Sequence, residues 1–174
     1  MNMNAIRIAT EQDAGSISHI HVESWRSTYK GVVPDNYLAE LDELARTANW
    51  REWIASGVPV FVAIRDGDVV GFISGGPIRD PIGSYDAELF TIYLLQHVQR
   101  SGIGTALLRR LASHLDDNGF KNMAVWVLEN NVSSSFYEKS GALRISSKEI
   151  EIGGVLLPVT AYGWPSLRAL LSPE

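Results

Sequence analysis

The stretch Gln99-Arg100-Ser101-Gly102-Ile103-Gly104-Thr105 decides how this chain is read, because of what lies on either side of it. Upstream runs Leu89-Phe90-Thr91-Ile92-Tyr93-Leu94-Leu95, with the β-branched and aromatic content of a buried strand. Downstream, Ile103, Leu107, Leu108, Leu111 and Leu115 recur at helical spacing, which predicts a helix. A strand, a glycine-containing turn and a helix make a geometry for holding anions. The first backbone N–H groups of a helix have no internal partner, and the aligned peptide dipoles place partial positive charge there. Gly102 and Gly104 carry no Cβ, so a phosphate can approach the backbone closely. A dinucleotide fingerprint would need a third glycine where Leu107 stands, and a Walker loop would need a Gly-Lys-Ser or Gly-Lys-Thr that the chain lacks. On its own Gly-x-Gly also fits a plain strand-to-helix turn, so the rest of the chain has to decide.

A chain of 174 residues suits a single domain, 1–174, with enough length for a sizeable core. Hydrophobic content of 45% beside 20% charged residues is ordinary globular composition and argues against disorder. A net charge of -5 disfavours a nucleic-acid surface, which needs clustered Lys and Arg; it leans weakly toward cationic acceptors such as amines. The absence of cysteine removes disulfides, thiolate metal sites and a cysteine acyl-enzyme together. His19, His21, His97 and His114 lack a spacing that would set two ligands on one helix face, so no metal is expected. The N-terminus has no basic region followed by an apolar core, and no apolar run reaches the length of a membrane span. A cytoplasmic location without membrane partners is the expectation.

In chain order, Ile6–Ala9 alternates as a short strand, and Thr10 with Asp13 resembles a capping box before a helix that turns Ile17 and Ile20 inward. Pro34-Asp35 starts a second helix reaching Leu41, and Leu44–Ala55 reads as a third. Trp25, Tyr29 and Tyr37 either pack these helices or line an acceptor pocket. Val60–Ile64 and Val69–Ile73 flank Asp66-Gly67, a hairpin signal; a polar loop is expected from Gly75 to Asp86. The helix after Gly102 ends at Asn118-Gly119, and Asn122–Leu128 is a strand buried on both faces. Asn130 or Asn131 caps a short helix through Tyr137 that Gly141 ends. Gly153-Gly154 joins a last hairpin, and the final ten residues read as a tail. The sum is a mixed α/β domain, antiparallel in its hairpins and parallel across the central helical crossover.

Three segments in this order resemble the GCN5-related N-acetyltransferase (GNAT) family. They are Glu88–Thr105 with its Gln/Arg-x-x-Gly-x-Gly/Ala loop, the hairpin Val60–Gly75, and the segment from Leu128-Glu129-Asn130 to Phe136-Tyr137-Glu138-Lys139-Ser140-Gly141-Ala142. The last is similar to the family's Asn-x-x-Ala-x-x-Phe-Tyr-x-x-x-Gly-Phe, with Ser133 for the alanine and Ala142 for the phenylalanine. Tyr162-Gly163-Trp164 after the Gly153-Gly154 hairpin resembles a bacterial branch with mostly unassigned acceptors.

The resemblance implies a mixed sheet of about seven strands, splayed around an acetyl-CoA cleft and flanked by helices. It implies acetyl-CoA as co-substrate, its pantetheine arm along the backbone of Ile92, Tyr93 and Leu94. The pyrophosphate would take the loop Gln99, Arg100, Ser101, Gly102, Ile103, Gly104 and Thr105, and Asn130 and Tyr137 would lie beside the pantetheine and sulfur. The chemistry implied is direct attack by a primary amine in a ternary complex. A free amine of pKa near ~10 must lose a proton first, and Glu88, directly or through water, is the candidate base. Tyr137 is the candidate acid for the departing thiolate, and a backbone N–H near Leu94 would polarise the thioester carbonyl. The acceptor is read as a small-molecule amine. A protein N-terminus or lysine, a longer acyl chain and a non-catalytic acyl-CoA sensor stay open, as does a homodimer.

Overall fold

The structure is a computed structural model that describes residues 5–129 and 131–172. Strand β1 (Ala5–Ile8) leads into a short 3-10 turn and helix α1 (Ala14–Thr28), followed by α2 (Asp35–Ala39) and α3 (Glu43–Ala55). The antiparallel strands β2 (Val60–Arg65), β3 (Asp68–Pro77) and β4 (Ala87–Leu94) come next, then α4 (Ile103–Asp117) and β5 (Met123–Leu128). Helix α5 (Ser134–Lys139), the hairpin β6 (Leu143–Ile152) and β7 (Val155–Trp164), and α6 (Leu167–Leu171) complete the chain. The seven strands form one sheet in the order β1-β2-β3-β4-β5-β7-β6. No helix among the described residues is long and apolar enough to cross a membrane.

Local chemistry accounts for the turns. The Thr10 N–H donates to the Asp13 carboxylate at 2.8 Å, the acidic half of a capping box. Both residues of Asp66-Gly67 and both of Gly153-Gly154 have positive φ, the requirement of a tight hairpin turn whose twist matches the strands.

Period-two alternation then sorts side chains to two faces. Phe61, Ala63, Ile73, Leu89, Met123 and Val125 meet Leu107, Leu108, Leu111 and Leu115 of α4 on one face. Val60, Val62 and Phe72 meet Ile17 and Ile20 of α1 and Trp50 of α3 on the other. Each of those α4 leucines is essentially buried, a gain of roughly 1.5–3 kcal/mol apiece.

Two expectations are corrected. The polar loop begins later than expected: Gly75, Gly76 and Pro77 stay in β3, paired with Leu89, Glu88 and Ala87. Gly75 lies so close to the Glu88 carbonyl and Leu111 that a side chain would have to displace them, so its glycine reflects packing rather than a turn. Residues 165–172 do not form a tail either. Ser166 caps α6 by accepting from the Ala169 N–H, and Leu167 and Leu170 are buried in the cluster beneath α4.

The feature that positions the site is the junction of β4 and β5. These parallel neighbours pair only at Ala87↔Met123 and Glu88↔Ala124 and then part. Asp86 pins this end: its carboxylate accepts the N–H groups of Lys121 at 3.0 Å and Asn122 at 3.2 Å, and its own N–H donates to Asn122 Oδ1 at 2.8 Å. Beyond the pin the strands open into a wedge.

Candidate active site

One wall of the wedge is β4. Its antiparallel partner β3 takes one edge of the strand through Ile73↔Ile92, Phe72↔Tyr93 and Gly71↔Leu94. Half of the backbone groups on such a strand point the opposite way, so Leu89–Leu94 present N–H and C=O groups toward the gap. Gln99 closes the far end of that edge, donating from Nε2 to the Leu94 carbonyl at 3.3 Å.

The turn between β4 and α4 has the geometry its glycine predicts. Gly102 sits at φ 85° and Arg100 at φ 57°, both left-handed, and the Ser101 hydroxyl ties the loop by donating to the Val98 carbonyl. The first bond within α4 runs from the Ala106 N–H to the Gly102 carbonyl at 3.1 Å, so Ile103, Gly104 and Thr105 offer N–H groups with no helical partner. A Cβ on Gly104 would point between Leu94 and Phe136, 3.4 Å from each. The loop residues Gln99–Thr105 and the strand residues Ile92–Leu94 are thus brought to one end of the wedge. Donors at a helix N-terminus, a bare strand edge and a glycine facing the gap fit a long ligand with a phosphorylated end. Asn130 lies outside the described residues. Asn131, the other candidate, does not occupy the cap position, which is Ser133; its Oδ1 accepts from the Ser133 N–H at 2.9 Å in a turn ahead of α5.

Tyr137, on α5, is buried, with its ring 5.9 Å from that of Trp164 and 6.3 Å from that of Tyr162. Burial, with the nearby Tyr29 phenol, raises its pKa above the usual phenol value, so the hydroxyl keeps its proton at neutral pH. Tyr29 and Tyr93 are raised too, chiefly by burial. Trp25 Nε1 donates to the Tyr93 hydroxyl at 2.9 Å and Asn131 Nδ2 to the Tyr29 hydroxyl at 3.2 Å, so these phenols are fixed from both sides. Trp25 and Tyr29 thus pack α1, the first of the two readings the sequence left open, and their polar atoms pair with Tyr93 and Asn131. Tyr37 packs against the β6–β7 turn, closest to Gly153.

Glu88 stands at the last β4–β5 pairing and is buried. Its Oε1 accepts from Arg79 Nη2 at 2.8 Å, and its Oε2 from the Arg79 backbone N–H and Nε, each at 3.1 Å. Sequence reasoning missed Arg79, since nothing in the loop Ile78–Asp86 marks which residue folds back on the strand. It also missed Trp126 and Lys148. Alternation along Val125-Trp126-Val127 was the available signal, because it turns Trp126 away from α4 while both valines face it. His21 is buried, stacked on Tyr93 at 5.3 Å, and accepts from Trp50 Nε1 at 3.3 Å; burial lowers its pKa to about 3.

Comparison with known proteins agrees with this geometry. The profile of the Acetyltransferase (GNAT) family matches residues 16–142. The Bacillus subtilis (strain 168) protein named uncharacterized N-acetyltransferase YuaI is 42% identical over 169 residues, covering 97% of this chain and 96% of that protein. The spermidine N(1)-acetyltransferase of Thermoplasma acidophilum is 26% identical over 78% of this chain and 86% of its own length. In three dimensions, yncA of Salmonella typhimurium, solved with its cofactor acetyl-CoA, superposes with a TM-score of 0.72 at 22% identity, covering 99% of this chain and 96% of that one. The extent of the family match and the 42% identity establish that this chain belongs to the acetyltransferase (GNAT) family and is an N-acetyltransferase.

Proposed function

We propose that residues 1–174 form a single N-acetyltransferase domain that moves the acetyl group of acetyl-CoA to the primary amine of a small molecule, by direct attack in a ternary complex. The observation that carries this reading is the wedge: two parallel strands pinned by Asp86 and then parted, with the free N–H groups of α4 at its open end. Ile103, Gly104 and Thr105 hold the pyrophosphate, with Gln99–Gly102 shaping the loop around it. Ile92, Tyr93 and Leu94 offer their bare backbone edge to the pantetheine as to an added strand, the way an exposed sheet edge binds an extended chain. Tyr137 faces its sulfur end, and the family resemblance assigns Asn130 to the same end.

The residues then divide the proton work. The Tyr137 phenol, kept protonated by burial, gives its proton to the departing thiolate. A backbone N–H near Leu94 steadies the oxyanion. Glu88 accepts the amine proton through water, since Arg79 already donates three N–H bonds to its oxygens and limits direct contact. The spermidine acetyltransferase relative supports an amine acceptor as the class. Thermal melts with acetyl-CoA, NADH and ATP at matched concentrations test the site. A rise in Tm with acetyl-CoA alone is expected, and a rise with NADH or ATP but none with acetyl-CoA overturns it.

A further inference from the structure

The wedge has a second face, turned away from α4. Here a cavity of about 230 Å³ is lined by Arg79, Asp80, Glu88, Phe90, Trp126 and Lys148, among others. It is smaller than the roughly 300–1,000 Å³ of sites for drug-sized ligands. We propose that this cavity receives an acceptor amine that also bears a carboxylate, a molecule of amino-acid type, with Arg79 and Lys148 holding the carboxylate. The proposal rests on the acetyltransferase reading and adds the class of acceptor to it.

The argument is an inventory of hydrogen-bonding groups on the cavity wall. The carboxylate of Glu88 is engaged and that of Asp80 partly so. Both oxygens of Glu88 take N–H groups of Arg79, and Asp80 Oδ2 faces Lys148 Nζ at 3.5 Å. The donors are in surplus. A guanidinium carries more N–H groups than the two side-chain donors that Glu88 uses, and an ammonium more than the one turned to Asp80.

Both cations are also held in place by rings. The Arg79 guanidinium carbon lies 4.2 Å from the Phe90 ring centre and Lys148 Nζ lies 4.1 Å from that of Trp126. A guanidinium and an ammonium held by rings, each with N–H groups left over from its own ion pair, are complementary to a carboxylate, which accepts through both oxygens. A diamine or polyamine makes less use of this wall, since Glu88 already accepts three N–H groups from Arg79 and only Asp80 is left for a second ammonium. With the carboxylate so held, the amine of an amino-acid-sized ligand lies toward Glu88 and the gap between the strands.

The test measures CoA release by the full-length protein with three sets of amines: free amino acids, the carboxamides of the same amino acids, and polyamines. At least one amino acid is expected to be acetylated, with its carboxamide slower in kcat/KM by roughly 10²-fold or more, because the wall donors are then left unpaired. Lys148→Met is expected to raise KM for the acid about tenfold and to narrow the acid-to-carboxamide ratio, with circular dichroism confirming the fold. Equal turnover of acid and carboxamide, or turnover of polyamines without any amino acid, overturns this inference and leaves the acetyltransferase reading in place. Absence of turnover with every set overturns both.

Discussion

Gly104→Glu probes the anion site at the residue where the structure is most specific. A Cβ at Gly104 points into the gap between Leu94 and Phe136, at 3.4 Å from each, which is ordinary contact distance. The carboxylate added beyond it enters the space assigned to the pyrophosphate. Two unit charges about 5 Å apart at an effective dielectric near ~20 repel by roughly 3 kcal/mol, about a hundredfold in affinity, and the displaced helix N–H contacts add to that loss. The fold should tolerate the change, because glutamate is a better helix former than glycine and an anion in the first turn suits the dipole. Gly104→Ala is the control: it adds only the tolerated Cβ and gains up to ~1 kcal/mol of stability from lost chain entropy, without added charge. Titration calorimetry with acetyl-CoA, alongside urea melts, reads both quantities. A folded Gly104→Glu protein with unchanged acetyl-CoA affinity would refute the placement of the phosphate site.

Tyr137→Phe should lower kcat roughly 10²–10⁴-fold with little change in the KM for acetyl-CoA, as loss of a general acid does; steady-state kinetics on one confirmed acceptor checks it. Glu88→Gln should slow transfer at neutral pH by about 10²-fold and recover toward high pH, where the amine loses its proton unaided, and an unchanged pH–rate profile would remove Glu88 from the proton path. Leu111→Ala should cost about 2–5 kcal/mol in denaturant melts, because Leu111 is wholly buried where Gly75 and α4 meet. His21 is neutral in the fold, with its pKa lowered to about 3, so the unfolded chain binds the extra proton below about pH 6.5. Its contribution is therefore complete above that pH and is lost as pH falls toward 3, by at most about 1.4 kcal/mol per pH unit. Melts of wild type and His21→Phe at pH 7, 5.5 and 4.5 should show the stability gap shifting in favour of the variant as pH falls.

The parts of this molecule that could be read from sequence are those set by neighbours in the chain. The spacing of Ile103, Leu107, Leu108, Leu111 and Leu115 specifies α4 and its buried face, and Asp66-Gly67 and Gly153-Gly154 specify two turns. The Gln99–Thr105 loop was legible for the same reason, since helix start, glycine and strand end are consecutive. What escaped depends on distant partners. Leu167 and Leu170 look like the end of a chain until the α4 surface is there to bury them. The Arg79–Glu88 pair spans a loop whose path the sequence does not fix, and Lys148 meets Trp126 only because β7 pairs with both β5 and β6. A carboxylate placed by strand pattern alone, as Glu88 was, carries no information about which cation will face it.

The most direct test of the account is to identify what becomes of the acetyl group. Wild-type protein incubated with acetyl-CoA and the amine sets described above is followed at once by CoA thiol release and by mass spectrometry of the amine. The account predicts CoA and an N-acetylated amine in equal amounts, with both falling together in Tyr137→Phe. Binding of acetyl-CoA without any acetylated amine, or CoA release that leaves every amine unmodified, would contradict it.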